Sequence, residues 1–338
     1  MGLLSDEAIF ALASASVWLG RPAFALGTAI RLGRIPDFAR PRGHNELVQW
    51  RKHFDRNPLF ATFCDKLAAR EWAQARLPEL RSAEIMWIGA DAEALPPQFL
   101  DGACVIKSTT GSGRNYYPGH DQWTDAERRR RLRRWLRPSS RLGEWGYSQV
   151  MPRLFVERLL GGDAGVVDLT FRCHDGTISV AFVATRWKSD AARAAYFTAE
   201  GALIDRPVEG AGRLAADPLA PGVFVRAAEL ARRLSVGLDQ IRIDFIVDGE
   251  DIYLGEFTVY SASGFGDEER VGVGPTIERA WSRRSTRAGF SVPRIRAGAC
   301  ATPRRFVAGC RGGSPNSARN GCQAAVAMAK PVRSRLAR

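Results

Sequence analysis

Asp244 and Glu256 stand on two β-type runs, residues 241–247 and 252–260, either side of Asp248-Gly249. Alternation places Arg242, Asp244 and Ile246 on one face of the first run. It places Ile252, Leu254, Glu256, Thr258 and Tyr260 on one face of the second. A two-residue turn at Asp248-Gly249 leaves the two carboxylates on opposite faces. A three-residue loop over 249–251 sets them opposite one another, with Cβ atoms about 5 Å apart. Carboxylates that close repel unless a cation or proton lies between them. Hard oxygen ligands on a hairpin suit Mg²⁺ held against substrate phosphates. An amphipathic hairpin with both charges in water accounts for the same pattern.

A second set begins at Val105-Ile106-Lys107 and runs into Gly111-Ser112-Gly113. A strand-borne Lys107 can neutralise phosphate oxygens, and a Gly-Ser-Gly loop lets backbone N–H groups approach them. No Gly-Lys-Ser/Thr follows, so the loop is not a Walker A motif. Taken alone, such a loop is more commonly a plain turn. Lys66, in Asp65-Lys66 on a helix continuing through Arg70, and Glu157, after Leu154-Phe155-Val156, each read alone as surface charges.

The elements that position these residues follow from periodicity. Residues 45–80 carry helical spacing (Leu47, Trp50, Phe54, then Phe60, Phe63, Leu67, Trp72), which Asn57-Pro58 breaks into two helices. Residues 103–107 form a short strand, and 125–137 a helix whose Arg128 to Arg131 cluster is a solvated face. A strand over 154–160 precedes a Gly161-Gly162 turn. Residues 166–172 and 178–185 make a hairpin about Asp175-Gly176, and 224–234 a helix. Helices first, then β-rich lobes with helical insertions, predict an α+β architecture.

The net charge of +13 suggests a nucleic-acid binder, but its distribution argues otherwise. Of the 49 Lys and Arg, 13 follow Ser282, together with none of the 36 Asp and Glu. The preceding body therefore holds 36 of each sign, and no nucleic-acid partner is expected for it. Composition predicts residues 283–338 to be a disordered basic tail. The six cysteines form no Cys-x-x-Cys pair, and with four scattered histidines zinc-ligand spacing is absent. Residues 8–30 are apolar but broken by Arg21-Pro22, too short for a span of about 18–20 residues. A helical hairpin packed on the body is expected, with a weakly membrane-associated surface helix as the alternative.

Taken in order, these features resemble the TupA-like ATP-grasp family. They are Asn57-Pro58, Asp65-Lys66, Ile106-Lys107 with Gly111-Ser112-Gly113, Glu144-Trp145 with Tyr147, and Phe155-Val156-Glu157. Asp168 before His174-Asp175-Gly176, Arg242-Ile243-Asp244 and Gly255-Glu256-Phe257-Thr258 complete the series. The resemblance runs from about residue 38 to about 265 and rests on eight motifs in the family's order. It implies an ATP-grasp fold: two β-rich lobes clasping ATP, a helical N-terminal region before them and the basic tail after. The implied divisions are 1–37 helical extension, 38–100 helical region, 101–160 small lobe, 161–282 large lobe and 283–338 tail.

The resemblance also implies roles. Lys66 and Lys107 would contact ATP phosphates beneath the Gly111, Ser112 and Gly113 loop, and Glu157 would hold adenine. Asp244 and Glu256, with Thr258, would bind Mg²⁺, with Mn²⁺ as an alternative. Arg242 would stabilise the acyl phosphate, while Asp168 and Arg186 would line the nucleotide site. Such a ligase activates a carboxylate on a small molecule or glycan and joins it to an amine. In this family the product belongs to bacterial cell-surface polysaccharide synthesis, from the cytoplasm or the membrane's inner face. Thr258, where Asn is usual, Thr109-Thr110, where Asn-His is, and Thr170, where Lys is, depart from the pattern. A nucleotide-sugar glycosyltransferase also uses carboxylates with a metal, but no Asp-x-Asp triplet occurs here. A degenerate, non-catalytic ATP-binding module is the third reading.

Overall fold

The computed structural model describes residues 5–287, apart from 101, 103, 119, 139–142, 162–164, 188 and 215. For 283–287 it gives the backbone course alone. The described residues belong to one unit, Met1–Ile295. The expected disordered tail, beyond 287, lies outside them.

Helices come first. Ser5 caps α1 (Asp6–Gly20), its side chain accepting from Ala8 N, and Pro22 at the first position starts α2 (Pro22–Leu32). Three helices follow where two were expected: α3 (His44–Phe54), α4 (Leu59–Cys64) and α5 (Lys66–Arg76). Asp65 makes the extra break. It sits in extended backbone, and its Oδ1 accepts from Leu67 N at 3.0 Å and Ala68 N at 3.3 Å. Asp65 is therefore the N-cap of α5, not a residue inside a continuing helix, and Lys66 opens the first turn.

A small antiparallel sheet has the order β1 (Ile85–Gly89), β4 (Leu154–Arg158), β2 (Cys104–Ser108), β3 (Asn115–Tyr116). Because β1 belongs to it, this sheet begins before residue 101. The capping-box helix α6 (Asp125–Trp135) buries Leu132 and Trp135 against it, and Trp123 stacks on Tyr116 at 4.7 Å. A short helix, α7 (Trp145–Ser148), leads into β4.

The larger sheet has seven strands. They are β5 (Val167–His174), β6 (Thr177–Thr185), β7 (Arg193–Phe197), β8 (Leu203–Ile204), β9 (Gly212–Arg213), β10 (Ile241–Asp248) and β11 (Asp251–Thr258). Their order is β11-β10-β5-β6-β7-β8, with β9 parallel to β7. One face is core: Leu169 and Phe171 of β5 and Ile243 and Phe245 of β10 pack with Ala227, Ala231 and Leu234 of α8 (Val223–Ser235). Arg51 of α3 ties the helices to this sheet, donating through Nη2 to both Asp239 oxygens at 2.7 Å. The guanidinium lies 4.3 Å from the Trp281 ring of α9 (Gly274–Arg287). That helix runs past the expected tail boundary at 283.

The β10–β11 hairpin corrects the sequence reading. Asp248 pairs with Asp251 around a two-residue turn, Gly249-Glu250, yet Asp244 pairs with Glu256. A bulge restores the parity: Phe245 opposes Leu254 and Asp244 opposes Glu256, leaving Gly255 as the extra residue. A Cβ at Gly255 would stand 2.9 Å from the Asp244 carbonyl oxygen. The extra residue flips every later side chain. Ile252 and Leu254 therefore join the core with Phe257 and Val259, while Glu256 and Thr258 turn to the other face. They do not share the face of Ile252 and Leu254 as uninterrupted alternation predicts.

Candidate active site

A cleft of about 990 Å³ lies between the two sheets. The larger sheet offers it parallel rows of side chains. From β5 come Asp168, Thr170 and Arg172; from β10, Ile246, Asp244 and Arg242; from β11, Glu256. The register sets Arg242 opposite Arg172 and Asp244 opposite Thr170 on one side, and Asp244 opposite Glu256 on the other. The small sheet faces them with Lys107, Phe155 and Glu157, and α5 adds Lys66.

Arg242 joins the carboxylates. Its Nε donates to Asp244 Oδ1 at 2.8 Å, and its Nη2 to Asp244 Oδ2 and, at 3.1 Å, to Glu256 Oε1. Thr258 Oγ1 donates to Glu256 Oε1 at 3.4 Å. Burial raises the Asp244 pKa above the usual carboxylate range, in spite of Arg242. Burial alone would lower Arg242, but the Asp244 charge and hydrogen bond and the Glu256 charge raise it. Arg242 is the cation that offsets the repulsion between these facing carboxylates, and Glu256, its side chain 35% exposed, stays open to the cleft. Among the described residues no group of three His, Cys, Asp or Glu gathers. Two carboxylates and a hydroxyl are oxygen donors of the kind that would suit Mg²⁺.

At the other wall, Lys66 ties α5 to the glycine loop. Its backbone N donates to Thr109 O at 2.9 Å and its Nζ to Gly111 O at 2.8 Å. Burial lowers the Lys66 pKa, with Lys107 adding repulsion against the pull of Glu256. Gly111 (φ +86°) and Gly113 (φ +69°) occupy the left-handed region that glycine favours. Ser112 and Gly113 line the cleft. Thr109 and Thr110 are fully buried beneath the loop, and the Thr109 hydroxyl accepts from Arg153 N at 3.0 Å. Lys107 and Glu157 form an ion pair, because Val105 opposes Glu157 and residues 105 and 107 share a face. Arg186, at the end of β6 with φ +49°, also borders the cleft.

Every candidate residue thus meets this one cleft or, for Gly111 and Thr258, touches a residue that lines it. Two members had escaped the sequence reading. Arg172 is buried, donates to Ser261 Oγ and pairs with Glu268. Burial lowers its pKa despite the Glu268 charge. For Glu268, burial would raise the pKa, but Arg172 and His44 outweigh it and the net shift is downward. Period two from Asp168 through Thr170 reaches Arg172, so that signal was present. Glu268 lies in an irregular loop with no periodicity to mark it.

A family model described as TupA-like ATP-grasp matches residues 46–271, a span holding every candidate site residue. No curated protein matches the chain. Solved structures with a related arrangement include a D-alanine–D-alanine ligase from Bacillus anthracis complexed with ATP. It is 14% identical, over 68% of this chain and 69% of that one, with a TM-score of 0.39. The ATP-grasp ligase PsnB, complexed with a phosphomimetic variant of a minimal precursor, Mg and ADP, is 15% identical over 70% and 65%, TM-score 0.36. N5-carboxyaminoimidazole ribonucleotide synthetase from Thermus thermophilus is 14% identical over 62% and 52%, TM-score 0.34.

Proposed function

This chain belongs to the TupA-like ATP-grasp family, and from that premise we propose that it is an ATP-dependent carboxylate–amine ligase working through an acyl phosphate. The observation that carries this reading is the convergence of Lys66, Lys107 and the glycine loop on one wall with Arg242, Asp244 and Glu256 on the other.

Lys66 and Lys107 hold the outer phosphates of ATP, and the backbone N–H groups of Ser112 and Gly113 close over them. Binding separates Lys107 from Glu157 and frees that carboxylate to accept from the adenine amino group. Asp168 and Arg186 border the nucleotide. Asp244, Glu256 and Thr258 hold Mg²⁺, which when bound neutralises phosphate charge; Mn²⁺ satisfies the same oxygen donors. A substrate carboxylate oxygen attacks the γ-phosphorus, the bond to the β-phosphate oxygen breaks, and ADP leaves. Arg242, released from its carboxylate partners, donates to the oxygens of the acyl phosphate. The amine then attacks the acyl carbon, loses a proton and expels inorganic phosphate. Positioning and charge neutralisation supply most of the acceleration.

The acceptor we propose is a uronic acid carboxylate of a bacterial surface polysaccharide or its precursor, met in the cytoplasm. The donor is an amino acid or amino sugar. The test uses ¹⁸O-labelled carboxylate. One label should appear in inorganic phosphate, and repeated turnover of ATP to ADP should need both substrates. Unlabelled phosphate alongside product excludes the acyl phosphate.

A further inference from the structure

The outward faces of α1 and α2 are apolar where a surface helix ordinarily turns polar. Inward, Val17 and Ala25 pack with Phe38 and Thr28 is buried. Outward, Leu12, Ser16 and Leu19 share one face of α1, and Ala23, Leu26 and Ile30 one face of α2. Leu19 is 83% exposed, Ile30 71% and Ile35, just beyond, 81%. Of eleven large, exposed apolar side chains among the described residues, five fall between Leu12 and Ile35. Such concentration marks an interaction surface, not scatter.

Charge identifies what covers it. Asp6 and Glu7 are confined to the first turn of α1, and no Asp or Glu follows from residue 8 to residue 36, while Arg21 stands at the bend between the helices and Arg31 at the end of α2. Both are exposed, and the Arg31 guanidinium lies 4.8 Å over the Phe265 ring, with no acidic partner at either arginine among the ion pairs of the described residues. The chain carries a second basic segment, the 13 Lys and Arg after Ser282 with no acidic residue. No single helix here is long and apolar enough to cross a bilayer, and the pair bends by 106°. Apolar side chains flanked by Arg21 at the bend and Arg31 at the end of α2 fit the boundary between headgroups and acyl chains of an anionic leaflet.

We propose that α1 and α2 form a monotopic docking surface for an anionic lipid bilayer, lying in the interface without spanning it. The apolar side chains enter the acyl boundary, and Arg21 and Arg31 meet lipid phosphates. This goes beyond the ligase reading and does not depend on it, because its readout is binding and not turnover.

Full-length protein is sedimented with vesicles of phosphatidylcholine plus phosphatidylglycerol, and with phosphatidylcholine alone. Anionic vesicles should carry the wild type down, and neutral ones far less. The L19E/I30E variant should lose about tenfold or more in partitioning. Its ATP affinity and melting temperature should be unchanged, since both side chains are exposed. L12S/I35S is a second, milder variant with the same expected direction. Equal partitioning of wild type and both variants overturns the proposal, as does binding lost only when the tail arginines are replaced. A lipid-free dimer that L19E/I30E dissolves overturns it too, by making this face a contact between two copies.

Discussion

Lys66 and Lys107 carry the nucleotide assignment, and their present partners make it testable. Each is held by an oxygen that ATP phosphate would replace: the Gly111 carbonyl for Lys66 and the Glu157 carboxylate for Lys107. Lys66→Ala or Lys107→Ala should weaken ATP by about 1.5–3 kcal/mol, a charged hydrogen bond's worth. AMP, lacking the outer phosphates, should lose far less. Titration calorimetry with both nucleotides decides it; equal losses for AMP and ATP would remove the lysines from the phosphate site. These lysines and the metal-type carboxylates were legible because their residue types and order are unusual together. Arg172 was legible in principle by period two, but Glu268 gains meaning only from the ion pair that folding brings about.

At the scale of elements, the hairpin shows what periodicity reaches. The two runs and their turn were visible, yet the facing of Asp244 and Glu256 depended on Gly255, whose bulge simple alternation does not count. A glycine inside a strand pattern was the available signal. Gly255→Ala places a Cβ against the Asp244 carbonyl. Backbone adjustment of this kind costs about 1–3 kcal/mol, and the register beyond it moves Glu256 away from Asp244. Urea denaturation should show that loss, and MgATP affinity should fall with it. An unchanged affinity would mean that the bulge does not set the site. Strands β1, β3, β7, β8 and β9 were not anticipated; β3, β8 and β9 have only two residues each, too few to show a period.

For the whole molecule, the sheet order and the cleft lay beyond sequence reasoning, because both arise from pairings far apart in the chain. The packing of α3 against the large sheet has a pH signature. His44 and His174 are fully buried. Burial, reinforced by Arg172 for His44 and by His44 and Arg51 for His174, pushes each down to about 3. Between about pH 6.5 and 3 the unfolded chain binds protons that the folded chain refuses, so stability falls as pH falls. Each histidine contributes about 1.4 kcal/mol per pH unit, or about 2 kcal/mol by pH 5. His174→Gln should therefore lose about 2 kcal/mol less than wild type between neutral pH and about pH 5. Parallel denaturation curves for the two proteins would contradict this. The central claim, that Asp244 and Glu256 hold the metal of an ATP-grasp cleft, is tested most directly by ATP titration with and without Mg²⁺. It is run on wild type, Asp244→Asn and Glu256→Gln. Mg²⁺ should tighten ATP binding to the wild type, and each variant should lose that gain while keeping its fold. If both variants keep the full Mg²⁺-dependent gain, the two carboxylates are surface charges and the assignment is wrong.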